Sequence, residues 1–257
     1  GADDTFFLDI SGTSDTDIWV VGRGIIHFDG AGWTTSTVVD FANDFTTVWA
    51  VTPTSAFAGT IDGAVFEYDG TSWERTTSPN GYEVTDLWAS SPSDVWVVDA
   101  GGFVRHWNGS EWQQSTRLNG ALSVVGGTSP TNVWCGGFIM LVLWGGGWGL
   151  FADPATTAIA DLRGMWFAAS GAGWFVSSSA RLSELRPEGW TVHWDSPGTF
   201  WDVTGVGSDV WVCSTWPIVA HRSAGVWGTE RLPRSQGCAS MTARSVTDVL
   251  VAGALAT

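Results

Sequence analysis

The stretch LWASSPSDVWVVDAGGFVRHWNGSEW, residues 87–112, contains the signals that decide the fold. It holds three short apolar runs, LWAS, VWVV and FVRHW, each followed by residues that favour turns. Runs of this length rich in Val and Trp, bounded by Gly, Pro, Asn, Asp and Ser, predict β-strands. A fourth strand is expected to begin at Trp112. The stretch therefore predicts a unit of four short antiparallel strands.

Two aromatic positions of this unit recur along the whole chain. The second marker of each unit lies 14 or 16 residues before the closing Trp, and the closing Trp recurs every 36 to 42 residues. The closing positions are Trp33, Trp73, Trp112, Trp148, Trp190 and Trp227, and the second markers are Trp19, Phe57, Trp96, Trp134, Trp174 and Trp211. Leu250 takes the second-marker place in a last, unfinished unit. Two markers in register over six units indicate a repeat protein.

Four antiparallel strands in about 40 residues are typical of a propeller blade. We predict an all-β fold, a β-propeller of four-stranded antiparallel blades, seven-bladed with an incomplete last blade; a six-bladed ring is the alternative. A single domain, 1–257, is expected to hold the repeats at about 6–45, 46–83, 84–120, 121–158, 159–198, 199–237 and a half repeat at 238–257. An incomplete blade leaves a strand edge that can pair with another chain.

Turn residues and tryptophans give the units their expected local structure. Asp29-Gly30, Asp69-Gly70 and Asn108-Gly109 suit type I′ hairpin turns, in which both central residues have positive φ. Asp17, Asp94, Asp209 and Asp248, before the second strands, suit Asx-type turns. Large flat side chains are expected to fill the space between blades. We assign that packing to the eleven tryptophans at the two marker positions and to Trp49, Trp88 and Trp166 on the innermost strands.

The quoted pattern resembles the Trp-rich β-propeller repeats of secreted bacterial proteins. Its layout is similar to tectonin-type lectin repeats and, more loosely, to Asp-box propellers. The resemblance covers essentially the whole chain, and its motifs specify a fold better than an activity. Blades four to six depart from the pattern, with GGGW, PEGW and AGVW in place of the Asp-Gly turn. The Asp-box has one more residue between its Asp and its Trp, so a sialidase-like function is not implied.

Charge and composition exclude several partners. The formal net charge is −15, and nucleic-acid binding needs a basic face, so we expect no nucleic-acid partner. The stretch 118–152 has no charged residue, but its glycine clusters and strand register argue against a transmembrane segment. The chain begins with Gly-Ala-Asp-Asp, without a signal sequence. We predict an extracellular or cell-surface location, with the signal peptide absent from this chain.

Cysteines and histidines give no metal-site spacing. Cys135, Cys213 and Cys238 form no CxxC pair; Cys213 and Cys238 could meet across neighbouring repeats, and three separate thiols are the alternative. His27, His106 and His221, with Glu67 and Glu184, share one position of the third strand. These groups are expected to lie too far apart to bind one ion. We predict no metal and no cofactor; each side chain either bonds the neighbouring blade's turn or contacts a ligand between blades.

Five tryptophans outside the marker positions are candidate ligand contacts. They vary from blade to blade: Trp107, Trp144, Trp194, Trp201 and Trp216. An indole face stacks on the apolar face of a sugar ring, and acidic or Asn side chains bind hydroxyls. This composition suits a carbohydrate site between blades or on a loop face. Extra packing between blades is the alternative.

The third strand of blade four, within FIMLVLW, has no polar residue on either face. A strand with two apolar faces should be covered on both. We therefore predict a candidate interface at Phe138, Met140, Leu141 and Leu143 with a partner or a second copy, with ordinary core packing as the alternative. Assembly through blade four or through the incomplete last blade would give a homo-oligomer or a larger complex.

Three functions fit the sequence. The first is a non-catalytic, extracellular propeller that recognises a glycan, a protein or another cell-surface ligand in a lectin-like way. The second is a structural scaffold that mediates protein–protein interaction. The third is a glycosidase-like or lyase-like enzyme. The chain has no GxSxG, phosphate-loop or HExxH motif, so no catalytic residue is assigned and the chain is predicted not to be an enzyme.

Overall fold

The computed structural model describes residues 7–38, 44–77, 80–144, 147–150, 161–195, 199–214, 218–232 and 238–253, without the side chains of Leu141, Val142, Trp144 and Asp195. These residues form 26 β-strands. Consecutive strands pair antiparallel in six four-stranded sheets and one two-stranded sheet. The all-β propeller fold predicted from the repeat is confirmed.

The first strands of the seven sheets form the inner ring. They are β1 (Phe7–Ser14), β5 (Phe45–Thr52), β9 (Val84–Ser91), β13 (Leu122–Ser129), β17 (Leu162–Phe167), β21 (Phe200–Val206) and β25 (Ser240–Ser245). Each contacts the next along the chain, and β25 contacts both β21 and β1. Seven inner strands therefore close the ring, six from complete blades and one from the half blade.

The second strands are the most buried. They are β2 (Asp17–Gly22), β6 (Ser55–Thr60), β10 (Asp94–Asp99), β14 (Asn132–Gly137), β18 (Gly173–Ser177), β22 (Asp209–Ser214) and β26 (Asp248–Ala252). Every residue of β2, β6 and β10 is buried, because neighbouring blades cover both faces of these strands. This burial explains why the second strands read as continuous apolar runs rather than as alternating ones.

The outer strands complete six of the blades. The third strands are β3 (Ile25–Phe28), β7 (Val65–Tyr68), β11 (Phe103–Trp107), β15 (Met140–Trp144), β19 (Arg181–Arg186) and β23 (Ile218–Ser223). The fourth strands are β4 (Trp33–Ser36), β8 (Trp73–Arg75), β12 (Trp112–Arg117), β16 (Gly147–Leu150), β20 (Gly189–Asp195) and β24 (Val226–Arg231). In the described part of the chain, no strand continues the seventh sheet beyond β26.

The hairpin turns before the closing tryptophans differ from the predicted type. Phe28 pairs with Trp33, so four residues form the loop, and Gly30 has a φ of 88°. Asp29 does not share the positive φ; its Oδ1 accepts hydrogen bonds from the amides of Ala31 and Gly32. The type I′ prediction is therefore wrong: a side-chain acceptor and one glycine make the turn.

The expected packing of the closing tryptophans fails at one position. Trp73 is 6% exposed and packs edge-on against Trp19 of the preceding blade at 5.2 Å. Trp33 is 53% exposed, and its ring contacts Phe28 of its own blade. The core prediction for Trp33 is wrong, because the half blade before it has no outer strands among the described residues.

The half blade is attached to both neighbours. A disulfide joins Cys213 on β22 to Cys238, just before β25. On the other side, Arg244 donates from Nη1 to the backbone carbonyl of Ser14 in blade one at 2.8 Å. The bridge that the spacing left open is therefore present, and it ties the half blade covalently to blade six, while hydrogen bonds join the half blade to blade one.

Candidate functional site

The seven inner strands surround an axial cavity of about 480 Å³. All seven strands contribute to its wall. The wall combines hydroxyl groups, such as those of Thr46 and Thr85, with the indoles of Trp49, Trp88 and Trp166. These three tryptophans pack between blades, as predicted, and also face the cavity. The cavity has the size of a small-molecule site.

Three carboxylates stand at one repeat position of this wall. They are Asp9 on β1, Asp86 on β9 and Asp202 on β21. The other four blades carry Thr47, Val124, Gly164 and Ser240 at this position. Each Asp is enclosed by the ring but keeps a partly accessible surface, because it faces the cavity rather than the packed core.

Each of these carboxylates connects two blades through hydrogen bonds. Oδ1 of Asp202 accepts from the amide of Val203 in its own strand at 2.7 Å, and Oδ2 accepts from the amide of Met241 in the next blade at 2.6 Å. Asp86 accepts from Leu87 and Val125 in the same way.

Asp9 carries a larger set of hydrogen bonds. It accepts from the amides of Ile10 and Val48 and from the hydroxyls of Thr47 and Ser240, the last at 2.6 Å. Since Ser240 belongs to the half blade, this bond also closes the ring.

Burial raises the pKa of all three carboxyl groups. It raises the pKa of Asp202 to about 7, against the opposing effect of the Met241 amide. Burial also raises the pKa of Asp86 well above its usual value, and the charges of Asp9 and Asp202 add to this rise. The pKa of Asp9 is raised by burial despite its four hydrogen-bond donors. With a pKa of about 7, Asp202 is present in both its protonated and its ionised form near neutral pH.

The histidines on the third strands lie away from this cavity. Nε2 of His27 is 2.7 Å from Oδ1 of Asp17, which also accepts from Nε1 of Trp19, and the His27 and Trp19 rings stack at 3.8 Å. His106 and His221 make the same contacts with the Asp and Trp of their own second strands. The prediction that they bond a neighbouring blade's turn is wrong, because the partner lies within the same blade.

The Asp before the second strand also differs from its predicted role. In blade one the turn is capped by Ser14, whose hydroxyl accepts from the amide of Thr16. Asp17 instead bonds Thr13, Trp19 and His27. Its carboxylate therefore fixes side chains rather than the turn backbone.

Glu184 and Glu67, which occupy the same repeat position as the third-strand histidines, have different surroundings. Glu184 is buried and bonds both Nε of Arg186 at 2.6 Å and Nε2 of His193 at 2.8 Å. Burial raises the pKa of Glu67, with a smaller effect from the charges of Asp69 and Glu74. In the described residues, no group of three His, Cys, Asp or Glu side chains could hold a metal ion. Ligand contact by these residues stays a prediction.

The candidate tryptophans are dispersed. Trp107 packs on Trp112, and Trp194 packs on Trp227 at 5.2 Å. Trp201 lies under the Arg163 guanidinium at 5.1 Å. Trp216 and the side chain of Trp144 lie outside the described residues. The described three do not line the axial cavity, and their role in ligand binding is untested.

The predicted interface of blade four divides into exposed and buried residues. Phe138 is 74% exposed, and Leu143 is half-buried beside the core between blades three and four. Met140 is buried against Leu162 and Phe175 and offers no surface to a partner, so it is corrected to a core residue. The side chain of Leu141 lies outside the described residues.

Sequence reasoning did not single out Asp9, Asp86 and Asp202. Each is an acidic residue in the middle of a short, otherwise uncharged strand, at one repeat position. Such a residue gains by facing a cavity with its own hydrogen-bond donors. That signal could have been found by aligning the first strands of the seven units.

No protein-family model matches the chain, and no curated protein matches it. Solved structures match over nearly its whole length. A streptogramin B lyase superposes with a TM-score of 0.83 at 13% identity, covering 97% of this chain and 91% of the lyase. Virginiamycin B lyase from Staphylococcus aureus gives 0.82 at 12% identity, covering 99% of this chain and 94% of that chain. YCF48 bound to D1 peptide gives 0.77 at 17% identity, covering 98% and 92%.

These comparisons show the β-propeller fold; they do not identify a Trp-rich repeat family. They contradict the prediction of a non-catalytic, lectin-like propeller, because two of the propellers that are similar over nearly the whole chain are lyases. The same finding contradicts the prediction that the chain is not an enzyme. One similar propeller, YCF48, was solved with a bound peptide. No helix in the described residues is long and apolar enough to cross a membrane.

Proposed function

We propose that this propeller is an enzyme that carries out acid–base chemistry on a small organic substrate in the axial cavity. The observation that carries the proposal is Asp202, a carboxyl group with a pKa of about 7 that faces a cavity of about 480 Å³. A proton-transfer group works best when its pKa is near the operating pH. A strongly perturbed pKa in a cleft marks a candidate catalytic group.

The reaction class that we propose is a lyase-type elimination. Ionised Asp202 takes a proton from a carbon next to a carbonyl group. The electron pair of that C–H bond forms a C=C bond while the adjacent bond to the leaving group breaks. Asp86, whose pKa burial raises well above its usual value, gives its proton to the leaving group. The shared fold of the two lyases supports this class over hydrolysis.

The substrate experiment uses the mass balance of the reaction. The purified protein is incubated with streptogramin B, with short peptides and with a metabolite extract, and the products are followed by mass spectrometry. An elimination adds no water, so product masses sum to the substrate mass, whereas hydrolysis adds one water. We expect a product of the first kind, and Asp202→Asn should slow its formation about 100-fold or more, since acid–base groups typically contribute that much.

Asp209→Asn is the matched control. Asp209 lies in the same blade and bonds His221, but it does not line the cavity. It should leave turnover unchanged. If no change in the extract depends on Asp202, the proposed activity is wrong; products heavier by one water would replace the lyase by a hydrolase.

We also propose an extracellular or cell-surface location, as the sequence predicted. The Cys213–Cys238 bridge supports it, because disulfides persist in oxidising compartments and are rare in reducing ones. The decisive measurement is fractionation of the source cells, in which recovery of the protein in the cytosol contradicts the proposal.

A further inference from the structure

The interface between blades five and six contains a second cavity, of about 410 Å³. Its wall includes the turns 168–172 and 186–188 of blade five, together with Ser208 and Arg222 of blade six. Among the described residues, none lines both this cavity and the axial cavity. The volume suits a small organic molecule. The cavity is therefore a candidate binding site that is separate from the proposed active site.

Blade five lacks the acceptor that other blades place beside the Trp of the second strand. In blade one, Nε1 of Trp19 donates to Oδ1 of Asp17 at 3.1 Å, and blades three and four make the corresponding bond. The residue two positions before Trp174 is Ala172, which carries no acceptor in its side chain. In the described part of the chain, no side chain accepts a hydrogen bond from Nε1 of Trp174. Trp174 lines the cavity, so a ligand can supply that acceptor.

Two alanines leave space for such a ligand. In blade one, the hydroxyl of Thr13 donates to Asp17, which lies four residues further along the chain. Ala168 and Ala172 occupy the two corresponding positions of blade five, and both line the cavity. The cavity thus borders the positions at which blade one has a Thr–Asp pair.

Arg222 brings a positive charge to the same wall. In blade two, Tyr68 packs on Trp19 of the preceding blade at 4.8 Å. The corresponding residue of blade six is Arg222, whose guanidinium carbon lies 5.5 Å from the ring centre of Trp174. Nε of Arg222 is buried without a hydrogen-bond partner, and no carboxylate of the described residues forms an ion pair with Arg222. The planar guanidinium matches a carboxylate in geometry and charge.

The two glutamates that line the cavity lie with a different arginine. The side-chain oxygens of Glu184 bond Nε of Arg186 at 2.6 Å and Nε2 of His193 at 2.8 Å. Glu188 is exposed, and its charge also acts on Arg186. Arg222 is therefore the cation of this wall that remains available to a ligand.

We propose that the cavity between blades five and six binds a small organic carboxylate. The carboxylate of the ligand takes the place that the Asp carboxylate has in blade one. It accepts hydrogen bonds from Nε1 of Trp174 and from the guanidinium of Arg222. The remainder of the ligand lies against Ala168, Ala172 and Val210. The proposal is independent of the enzyme activity assigned to the axial cavity.

The test follows the indole N–H signals of the nitrogen-15-labelled protein by nuclear magnetic resonance. Acetate, lactate and benzoate are titrated, and Trp174→Phe identifies the Trp174 signal by its loss. At least one of these acids should shift that signal saturably. Its amide analogue has nearly the same shape and no charge, and is the matched control. The amide should bind at least about 10-fold more weakly, because hydrogen bonds to charged groups contribute more than neutral ones.

Substitutions in the wall test the role of each residue. Arg222→Gln should weaken the binding of that acid at least about 10-fold, since it removes the charged donor. Arg231→Gln removes the same charge from an exposed position of the same blade, outside the cavity, and should leave the affinity unchanged. Ala172→Asp should abolish binding, because it restores the internal carboxylate of the repeat. Circular dichroism shows whether each variant is folded, and Arg222→Gln decides alone if Ala172→Asp does not fold.

Four outcomes would overturn the proposal. The first is that none of the three acids binds the folded protein, and the second is equal binding by the wild type and Arg222→Gln. The third is a shift of the Trp49, Trp88 and Trp166 signals without that of Trp174, which would place the acid in the axial cavity. The fourth is inorganic phosphate that binds as tightly as the best acid, which would make this a general anion site.

Discussion

The residues that distinguish this ring are Asp9, Asp86 and Asp202. Each replaces a neutral residue of the inner strand and accepts backbone amides from two successive blades. These bonds offset much of the cost of enclosing a carboxylate, while burial still raises the pKa of each group. The same side chains therefore hold neighbouring blades together and keep a titrating group at the cavity.

At the residue scale, Asp202 predicts how stability depends on pH. The pKa of Asp202 is about 7 in the folded chain and 3.8 for an unperturbed Asp. Between these two pH values the folded protein therefore binds more protons than the unfolded protein. Stability should then fall as the pH rises from about 4 to about 7, because ∂ΔG/∂pH has the sign of the protons bound in the unfolded state minus those bound in the folded state. Melting temperatures measured between pH 4 and 8 by circular dichroism test this.

Asp202→Asn should make the dependence of stability on pH shallower. The variant also loses an amide acceptor, so its free energy of unfolding at pH 4 should drop by about 1–3 kcal/mol. Some dependence should remain, since Asp9 and Asp86 also have a raised pKa. An unchanged slope in Asp202→Asn would show that Asp202 titrates normally.

Blades one, three and six share one element, the Asp that begins the second strand with a stacked Trp–His pair beside it. Asp17 is buried and bonds Thr13, Trp19 and His27, while His27 stacks on Trp19. Blade four keeps part of the arrangement, with Asn132 accepting from Nε1 of Trp134. The third-strand histidines are thus held in an internal network of their blade.

At the element scale, Asp17→Ala should destabilise the protein by about 1–3 kcal/mol. The substitution leaves the buried Nε1 of Trp19 without an acceptor, and an unpaired buried donor costs about that much. Urea unfolding followed by far-ultraviolet circular dichroism gives the value. Asp15→Ala, an exposed neighbour in the same turn, is the control and should change it by less than about 0.5 kcal/mol.

At the scale of the whole molecule, the described residues form a ring of seven inner strands, and the last blade has two strands among them. Its weakest place should be the half blade, which depends on the Cys213–Cys238 bridge and on the Ser240 and Arg244 contacts with blade one. The bridge spans a separation of 25 residues. A loop of this length gives about 3 kcal/mol in the chain-entropy account.

At the molecular scale, the double variant Cys213→Ser with Cys238→Ser should lose about 3 kcal/mol in its free energy of unfolding. Its amide exchange should accelerate first in Ser240–Ala252, since those strands lose their covalent attachment. Thiol titration of the unreduced, denatured wild type should give one thiol, from Cys135. Three titratable thiols in the wild type would contradict this account. So would amide exchange that accelerates uniformly around the ring in the double variant.

Much of the fold could be predicted from the sequence. Closing tryptophans every 36 to 42 residues and the turns between short apolar runs gave strands, blades and the half blade. Hairpins are local, so neighbouring residues specify them. The finer turn type was wrong because Asp29 caps the loop with its side chain while Gly30 alone takes the positive φ. A dipeptide does not reveal which of these two solutions the loop adopts.

The candidate site depended on tertiary structure. Asp9, Asp86 and Asp202 are far apart in the chain, and only ring closure brings them to one cavity, where shared burial raises their pKa. The exposure of Trp33 likewise depends on the blade that ring closure places beside it. The sequence by itself determined the repeating blade, because its signals are local. Tertiary structure decided which acids share a cavity and which aromatic residue stays uncovered, because both depend on neighbours that are distant in the chain.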